Sequence, residues 1–194
     1  TLFNCVLTKA IYENFLQNNN SVVLDPFMGW GDRLLGALSC NKIKKYIGFD
    51  LNKELKPCYE QIIKDHGKNK EVDFQIQDFL EAKLDNNSVD LVFTSPPYFD
   101  YEIYGSWDNV AVKYRNFQYW IEHFLTPVMK ICVNACKKDA YICIHIGDTH
   151  RTVGVGEILC EIMKKLNYKL ITMIKCYNNG NINSRYVPIW CFKK

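Results

Sequence analysis

The chain has 194 residues, 48% of them hydrophobic and 23% charged, with a formal net charge of +3. That size and balance suit one compact domain with one substantial core, and no separate target-recognition domain is expected. Apolar runs fall short of the roughly 20 residues that span a bilayer, and the start lacks a secretion-signal pattern, so a soluble intracellular protein without a membrane partner is expected.

The nine cysteines are odd in number and scattered through apolar segments, as at Cys40, Cys132, Cys143, Cys160 and Cys191, with no Cys-x-x-Cys. Zinc ligands need closely spaced pairs and disulfide scaffolds are shorter and loop-rich, so reduced core thiols and no metal site are expected. The net charge is too small to mark a nucleic-acid binder by itself. Only Arg33, Arg115, Arg151 and Arg185 offer the planar fork that reads guanine edges.

Taken in chain order, strand-length apolar runs alternate with helical patterns, which predicts a mainly parallel α/β sheet covered on both faces. Leu7, Ala10, Ile11, Phe15 and Leu16 fall at helical spacing, and Val22-Val23-Leu24 forms a buried strand entering the Gly29-Trp30-Gly31 turn. A helix follows from about Arg33, and Tyr46 to Phe49 is the second strand. Leu55, Tyr59, Ile62 and Ile63 mark a helix ending near Gly67; Val72, Phe74 and Ile76 alternate as strand three. Val89 to Phe93 is strand four, stopped by Pro96 and Pro97, because proline cannot donate to a ladder. A polar and aromatic loop leads from Tyr98 to about Asn116. Beyond it come a helix through Trp120, Phe124 and Val128, a strand from Tyr141 to Ile146, and a helix from Glu157 to Leu166. Tyr168 to Tyr177 and Tyr186 to Phe192 close the chain as an antiparallel hairpin.

In such a sheet, ligands bind beyond the carboxyl ends of the strands. Asp25, Gly29 and Gly31 follow strand one, Asp50 ends strand two, Asp78 ends strand three and Ser95 ends strand four. Glycines after strand one let the backbone approach a ligand closely, and an acidic residue about 25 positions on accepts both ribose hydroxyl protons. That pattern suits an adenosine-containing cofactor. A dinucleotide fits poorly, since Leu34 stands where the third glycine of that fingerprint would be and Trp30 crowds the turn.

Asp25-Pro26-Phe27-Met28-Gly29-Trp30-Gly31 followed by Thr94-Ser95-Pro96-Pro97-Tyr98 resembles the paired signatures of the DNA amino-methyltransferases, which modify the exocyclic nitrogen of adenine or cytosine. The likeness is greatest to phage- and virus-type DNA methylases, where a Gly-Trp-Gly turn precedes a helix like that from Arg33 to Leu38. The resemblance implies a Rossmann-like class I methyltransferase fold with a seven-stranded sheet, S-adenosylmethionine as cofactor, and nucleic acid, DNA first, as substrate. It implies cofactor contacts from Phe3, Asn4, Asp25, Pro26, Phe27, Gly29, Gly31, Asp50, Leu51, Asp78 and Phe79, with Asp50 on the ribose and Asp78 on the adenine. Ser95, Pro96, Pro97 and Tyr98 form the implied catalytic motif, with Ser95 Oγ and the Pro96 carbonyl accepting from the target amine.

The chemistry accounts for that motif. An exocyclic amine shares its lone pair with the ring, and acceptors set against its N–H bonds draw the nitrogen toward a tetrahedral, nucleophilic form. Two successive prolines fix the backbone that presents the carbonyl, and Tyr98 offers a ring face for a base withdrawn from its helix. The aromatic run Tyr98-Phe99-Asp100-Tyr101 and Tyr104 to Trp107 suits either a stacking platform or a lid packed on the core. The pattern leaves open adenine against cytosine, DNA against RNA or a protein amide, and a non-catalytic partner subunit. It leaves target recognition to a partner protein or a flanking domain.

Overall fold

The computed structural model describes residues 4–67, 69–99, 113–114, 116–149, 152–177 and 186–194. Seven strands form one sheet in the order β3-β2-β1-β4-β5-β7-β6, and the contacts group into two compact units, one of residues 1–94 and 135–141, the other of residues 95–134 and 142–194.

In the first unit, α1 (Cys5–Phe15) precedes β1 (Ser21–Asp25), and α2 (Asp32–Leu38) leads to β2 (Ile43–Asp50). Then α3 (Lys56–His66), β3 (Glu71–Ile76) and β4 (Val89–Thr94) follow. β1 runs parallel to both β2 and β4, with Asp25 level with Gly48 and Leu24 with Val92; β2 runs parallel to β3. The continuous apolar runs of β1 and β4 follow from burial on both faces: Val23, Leu24, Leu91, Val92 and Phe93 are fully enclosed. Gly36 in α2 has no room for a Cβ, which would lie 2.6 Å from the Thr8 side chain, so the absent side chain lets α2 sit against α1. Tyr12 of α1 donates its hydroxyl to the Arg33 carbonyl at 3.0 Å and meets the Phe93 ring edge-on.

In the second unit, α4 (Phe117–Trp120) passes through one π turn (Ile121–Leu125) into α5 (Thr126–Ala135). Asn116 caps α4 by accepting from the Tyr119 N–H at 2.8 Å. β5 (Cys136–His145), α6 (Val155–Lys165), β6 (Lys169–Tyr177) and β7 (Tyr186–Lys193) complete the chain. The expected hairpin forms, with β6 and β7 antiparallel and Ile174 level with Ile189. Gly156 of α6 lies against Trp190 of β7, where a Cβ would fall 2.0 Å from the indole.

Two expectations are corrected. β5 starts at Cys136, five residues before the apolar run, because the exposed Lys137, Lys138 and Asp139 pair in the sheet without burying side chains. Cys160 is only partly buried, and Cys58 is exposed; all nine cysteines are free thiols. No helix among the described residues is long and apolar enough to cross a membrane.

Candidate functional site

Three acidic residues at strand ends share one local function. Asp25 Oδ1 accepts from Phe27 N at 3.2 Å, Asp50 Oδ1 from Asn52 N at 2.8 Å, and Asp78 Oδ1 from Leu80 N at 3.0 Å. Each short side chain closes a turn on the backbone two residues ahead, which stops the strand and aims the loop. What separates the three is how much acceptor capacity remains.

Asp25 has none to spare. Its Oδ1 also accepts from Thr94 Oγ1 at 2.7 Å, and its Oδ2 from Arg33 Nε at 2.9 Å and Tyr46 Oη at 2.7 Å. Those four donors fill the roughly four lone-pair sites of a carboxylate, and the residue is 0% exposed. This carboxylate builds the turn. The expectation that Arg33 could read a guanine edge is corrected. Its guanidinium is buried on Asp25 and the Phe27 carbonyl, so it cannot reach a guanine edge. Burial works against the Arg33 charge, but the Asp25 carboxylate more than offsets this and holds the guanidinium ionised; burial, then Asp25, pushes the Tyr46 phenol well up. The Arg33 cation and the neutral Tyr46 hydroxyl thus both donate to the Asp25 side chain.

The two glycines of the turn also part company. Gly29 has φ +54°, and a Cβ there would meet nothing within 4 Å. Gly31 has φ +87°, and a Cβ would lie 2.9 Å from Ile62 Cδ1 and 3.6 Å from the Tyr59 ring. At Gly31 the position of a Cβ faces α3, while at Gly29 it borders open space. The Gly29 N–H donates to Asp50 Oδ2 at 2.7 Å, and the Tyr59 hydroxyl donates to the Gly29 carbonyl, so the turn is held from both sides. Asp50 is half-buried with one backbone N–H on each oxygen. Burial raises its pKa above the usual carboxylate value, against the lowering effect of the Asn52 and Gly29 N–H groups.

The remaining expected cofactor residues fall in different surroundings. Leu51 is 53% exposed directly after Asp50, an apolar side chain left in solvent. Phe27 is half-buried and meets Phe79 edge-on at 6.0 Å; Phe79 in turn meets Phe49 at 5.2 Å. Phe79 is 2% exposed and belongs to the core, and Pro26 is buried, so neither is an open contact surface. Asn4 is exposed and caps α1, its Oδ1 accepting from Val6 N at 2.8 Å. Phe3 lies outside the described residues, as do Arg115, Arg151, Arg185 and the aromatic segment from Tyr101 to Trp107.

The second unit holds the Ser95-Pro96-Pro97-Tyr98 run. Ser95 follows Thr94 directly and donates its hydroxyl to the His145 carbonyl at 3.0 Å; the same Oγ stands 3.4 Å from His145 Nδ1. Pro96 is buried, while Pro97, Tyr98 and Phe99 are half-buried. Phe99 lies 6.1 Å from Phe117, which stacks on Trp120 at 5.8 Å. The start of the aromatic run therefore packs on α4. A cavity of about 470 Å³ in this unit, lined by Cys160, Lys164, Asn167, Tyr168, Lys169 and Leu170, contains none of the candidate residues. Among the described residues, no group of three His, Cys, Asp or Glu side chains could hold a metal ion.

Tyr46 and Tyr59 are site residues that the sequence does not announce; Thr94 stands in the motif and His145 at a strand end, but the sequence gives neither its partner. Thr94 and Asp25 lie 69 residues apart, and Ser95 and His145 lie 50 apart, so no local periodicity links them. The one available signal is position, since Thr94 and His145 are the last residues of buried strands.

A family model described as a DNA methylase, of the N6/N4 type, matches residues 89–194. The type II methyltransferase M.MjaVI of Methanocaldococcus jannaschii is 30% identical over 111 residues, which cover 56% of this chain and 54% of that protein. Among solved structures, TrmN of Thermus thermophilus has a TM-score of 0.67 at 15% identity, over 98% of this chain and 48% of that one. TYW2 of M. jannaschii in complex with AdoMet has a TM-score of 0.58 at 14% identity, over 100% and 78%. The chain thus spans about half the length of M.MjaVI and of TrmN. The fold is that of the class I S-adenosylmethionine-dependent methyltransferases, and with more than half its length matched, the chain belongs to the N6/N4 DNA methylase family.

Proposed function

We propose that the chain transfers a methyl group from S-adenosylmethionine to the exocyclic amino group of adenine or cytosine in DNA, as a single catalytic domain that leaves site selection to another protein or flanking region. The observation that carries the reading is the polarity of Ser95. Its only proton is given to the His145 carbonyl, so Oγ offers lone pairs, and lone pairs are what an amino N–H requires. A hydroxyl or thiol target would call for a base that removes a proton before transfer.

The first unit fits the cofactor on two counts. The open space beside the Gly29 backbone is the cradle a Cβ would fill, and Asp50, which meets two backbone N–H groups and the Tyr59 hydroxyl, keeps acceptor capacity for a ribose hydroxyl next to the exposed Leu51. Asp78, whose Oδ1 closes its own turn on Leu80 N, is the strand-end carboxylate assigned to the adenine amino group. S-adenosylmethionine supplies an electrophilic sulfonium methyl when bound. Ser95 Oγ and the Pro96 carbonyl take the two N–H bonds of the amine and draw its lone pair out of conjugation, and Tyr98 stacks the base. Asp25, Arg33 and Thr94 keep the backbone on either side in place without touching the substrate.

Labelled-methyl transfer to DNA, followed by digestion to nucleosides and mass spectrometry, tests the reading. N6-methyl-2′-deoxyadenosine or N4-methyl-2′-deoxycytidine is the expected product. Product on RNA or on a glutamine side chain, or no transfer to DNA with any source of site selection supplied, defeats it.

A further inference from the structure

We infer that His145 is a positioning residue that fixes the Ser95 hydroxyl as an acceptor, through its Nδ1–H tautomer. Ser95 Oγ has one proton and two lone pairs. The proton goes to the His145 carbonyl, the nearer partner at 3.0 Å, while Nδ1 of the same residue stands 3.4 Å from Oγ. A bare Nδ1 at that distance would face the Oγ lone pairs with its own lone pair, and the two would repel. A protonated Nδ1 instead donates into one of them. The hydroxyl is then held at two points by one residue, backbone on one side and ring on the other, and a single lone pair is left for the target amine.

His145 suits the task by its place. It is the last residue of β5, 8% exposed, with Ile142, Cys143 and Ile144 fully buried behind it. Its backbone is anchored on the next residue too, where Ile146 N donates to the Pro188 carbonyl at 3.2 Å and the Ile146 carbonyl accepts from Trp190 Nε1 at 2.9 Å. Its ring therefore arrives at Ser95 on a rigid strand end, the arrangement that keeps a reacting group within a narrow geometry.

The inference rests on the methyl-transfer reading for its functional consequence but not for its geometry, and the experiment separates the two. Nitrogen-15 NMR of the imidazole in the chain without ligand reports the tautomer directly. The expected signature is a protonated Nδ1 at neutral pH, the less common form of free histidine, and its loss in Ser95→Ala. A bare Nδ1 in the unaltered chain, or a tautomer unmoved by Ser95→Ala, overturns the inference whatever the activity. In single-turnover assays His145→Phe should lower the rate of the chemical step about 5- to 10-fold, the scale of one neutral hydrogen bond, with KM for the target little changed. His145→Asn, whose Nδ2–H can occupy the Nδ1 position, should restore most of it. A full rate in His145→Phe, or no rescue by Asn in a variant that melts normally, also overturns it. Absence of transfer by the unaltered chain counts against the methyl-transfer reading alone, since the NMR result stands without it.

Discussion

Gly29→Ala separates what the turn does for the fold from what it does for the cofactor. In the folded chain the new methyl meets nothing within 4 Å, so packing contributes no penalty. The cost is the left-handed backbone at φ +54°, about 1–2 kcal/mol for an L-residue. Part of that is returned by the lower entropy of the unfolded chain, roughly 0.4–1 kcal/mol. A net loss near 1 kcal/mol is expected in urea denaturation. Cofactor affinity should fall much further, at least about tenfold, because the methyl occupies the space through which a ligand approaches the backbone. Gly31→Ala is the control: it carries the same backbone strain at φ +87° plus a 2.9 Å contact with Ile62 Cδ1. It should therefore lose more stability than Gly29→Ala and less affinity per unit of folded protein. Calorimetric titration of S-adenosylmethionine, or of its demethylated product, into both variants decides. Gly29→Ala binding as tightly as the unaltered chain would refute the assignment of that space to the cofactor.

Other expectations follow from the same geometry. Asp25→Ala leaves the buried Arg33 charge and the hydroxyls of Tyr46 and Thr94 without their acceptor, and should cost about 3–5 kcal/mol in chemical denaturation. Asp50 holds ribose hydroxyls best when ionised, and burial raises its pKa; cofactor affinity should be level at neutral pH and fall as pH drops through that raised value, with the fall abolished in Asp50→Asn. Calorimetry across the mildly acidic range shows it, and affinity independent of pH there would exclude the ionised Asp50 as the ribose acceptor. Ser95→Ala should slow the chemical step by roughly 5- to 150-fold, the equivalent of about 1–3 kcal/mol, with cofactor affinity close to normal. Tyr98→Ala should weaken binding of the base by about 1–3 kcal/mol while Tyr98→Phe is nearly silent, because stacking needs the ring and not the hydroxyl. Equal damage from both Tyr98 variants in DNA-binding assays would rule stacking out.

The alternation of apolar runs and helical spacing determined the element order, and the Gly-Trp-Gly turn with Ser-Pro-Pro-Tyr determined the family, because both signals are local. Turn chemistry is likewise local, so Asp25, Asp50, Asp78 and Ser95 could be placed at strand ends from their neighbours alone. The same locality explains the errors. β5 was legible only from Tyr141, since its first five residues are held by backbone pairing, which hydropathy does not record. Asp25 and Asp50 read alike in the sequence, yet only the tertiary structure gives Asp25 four partners from positions 27, 33, 46 and 94 and leaves Asp50 with lone pairs in hand. Gly29 and Gly31 differ only by whether α3 lies over them. Arg33 offered a reading head for guanine until burial paired it with Asp25. The Ser95–His145 contact spans 50 residues and exists because two strand ends come together, and a hydrogen bond closed over that distance leaves no periodic trace in the chain that forms it.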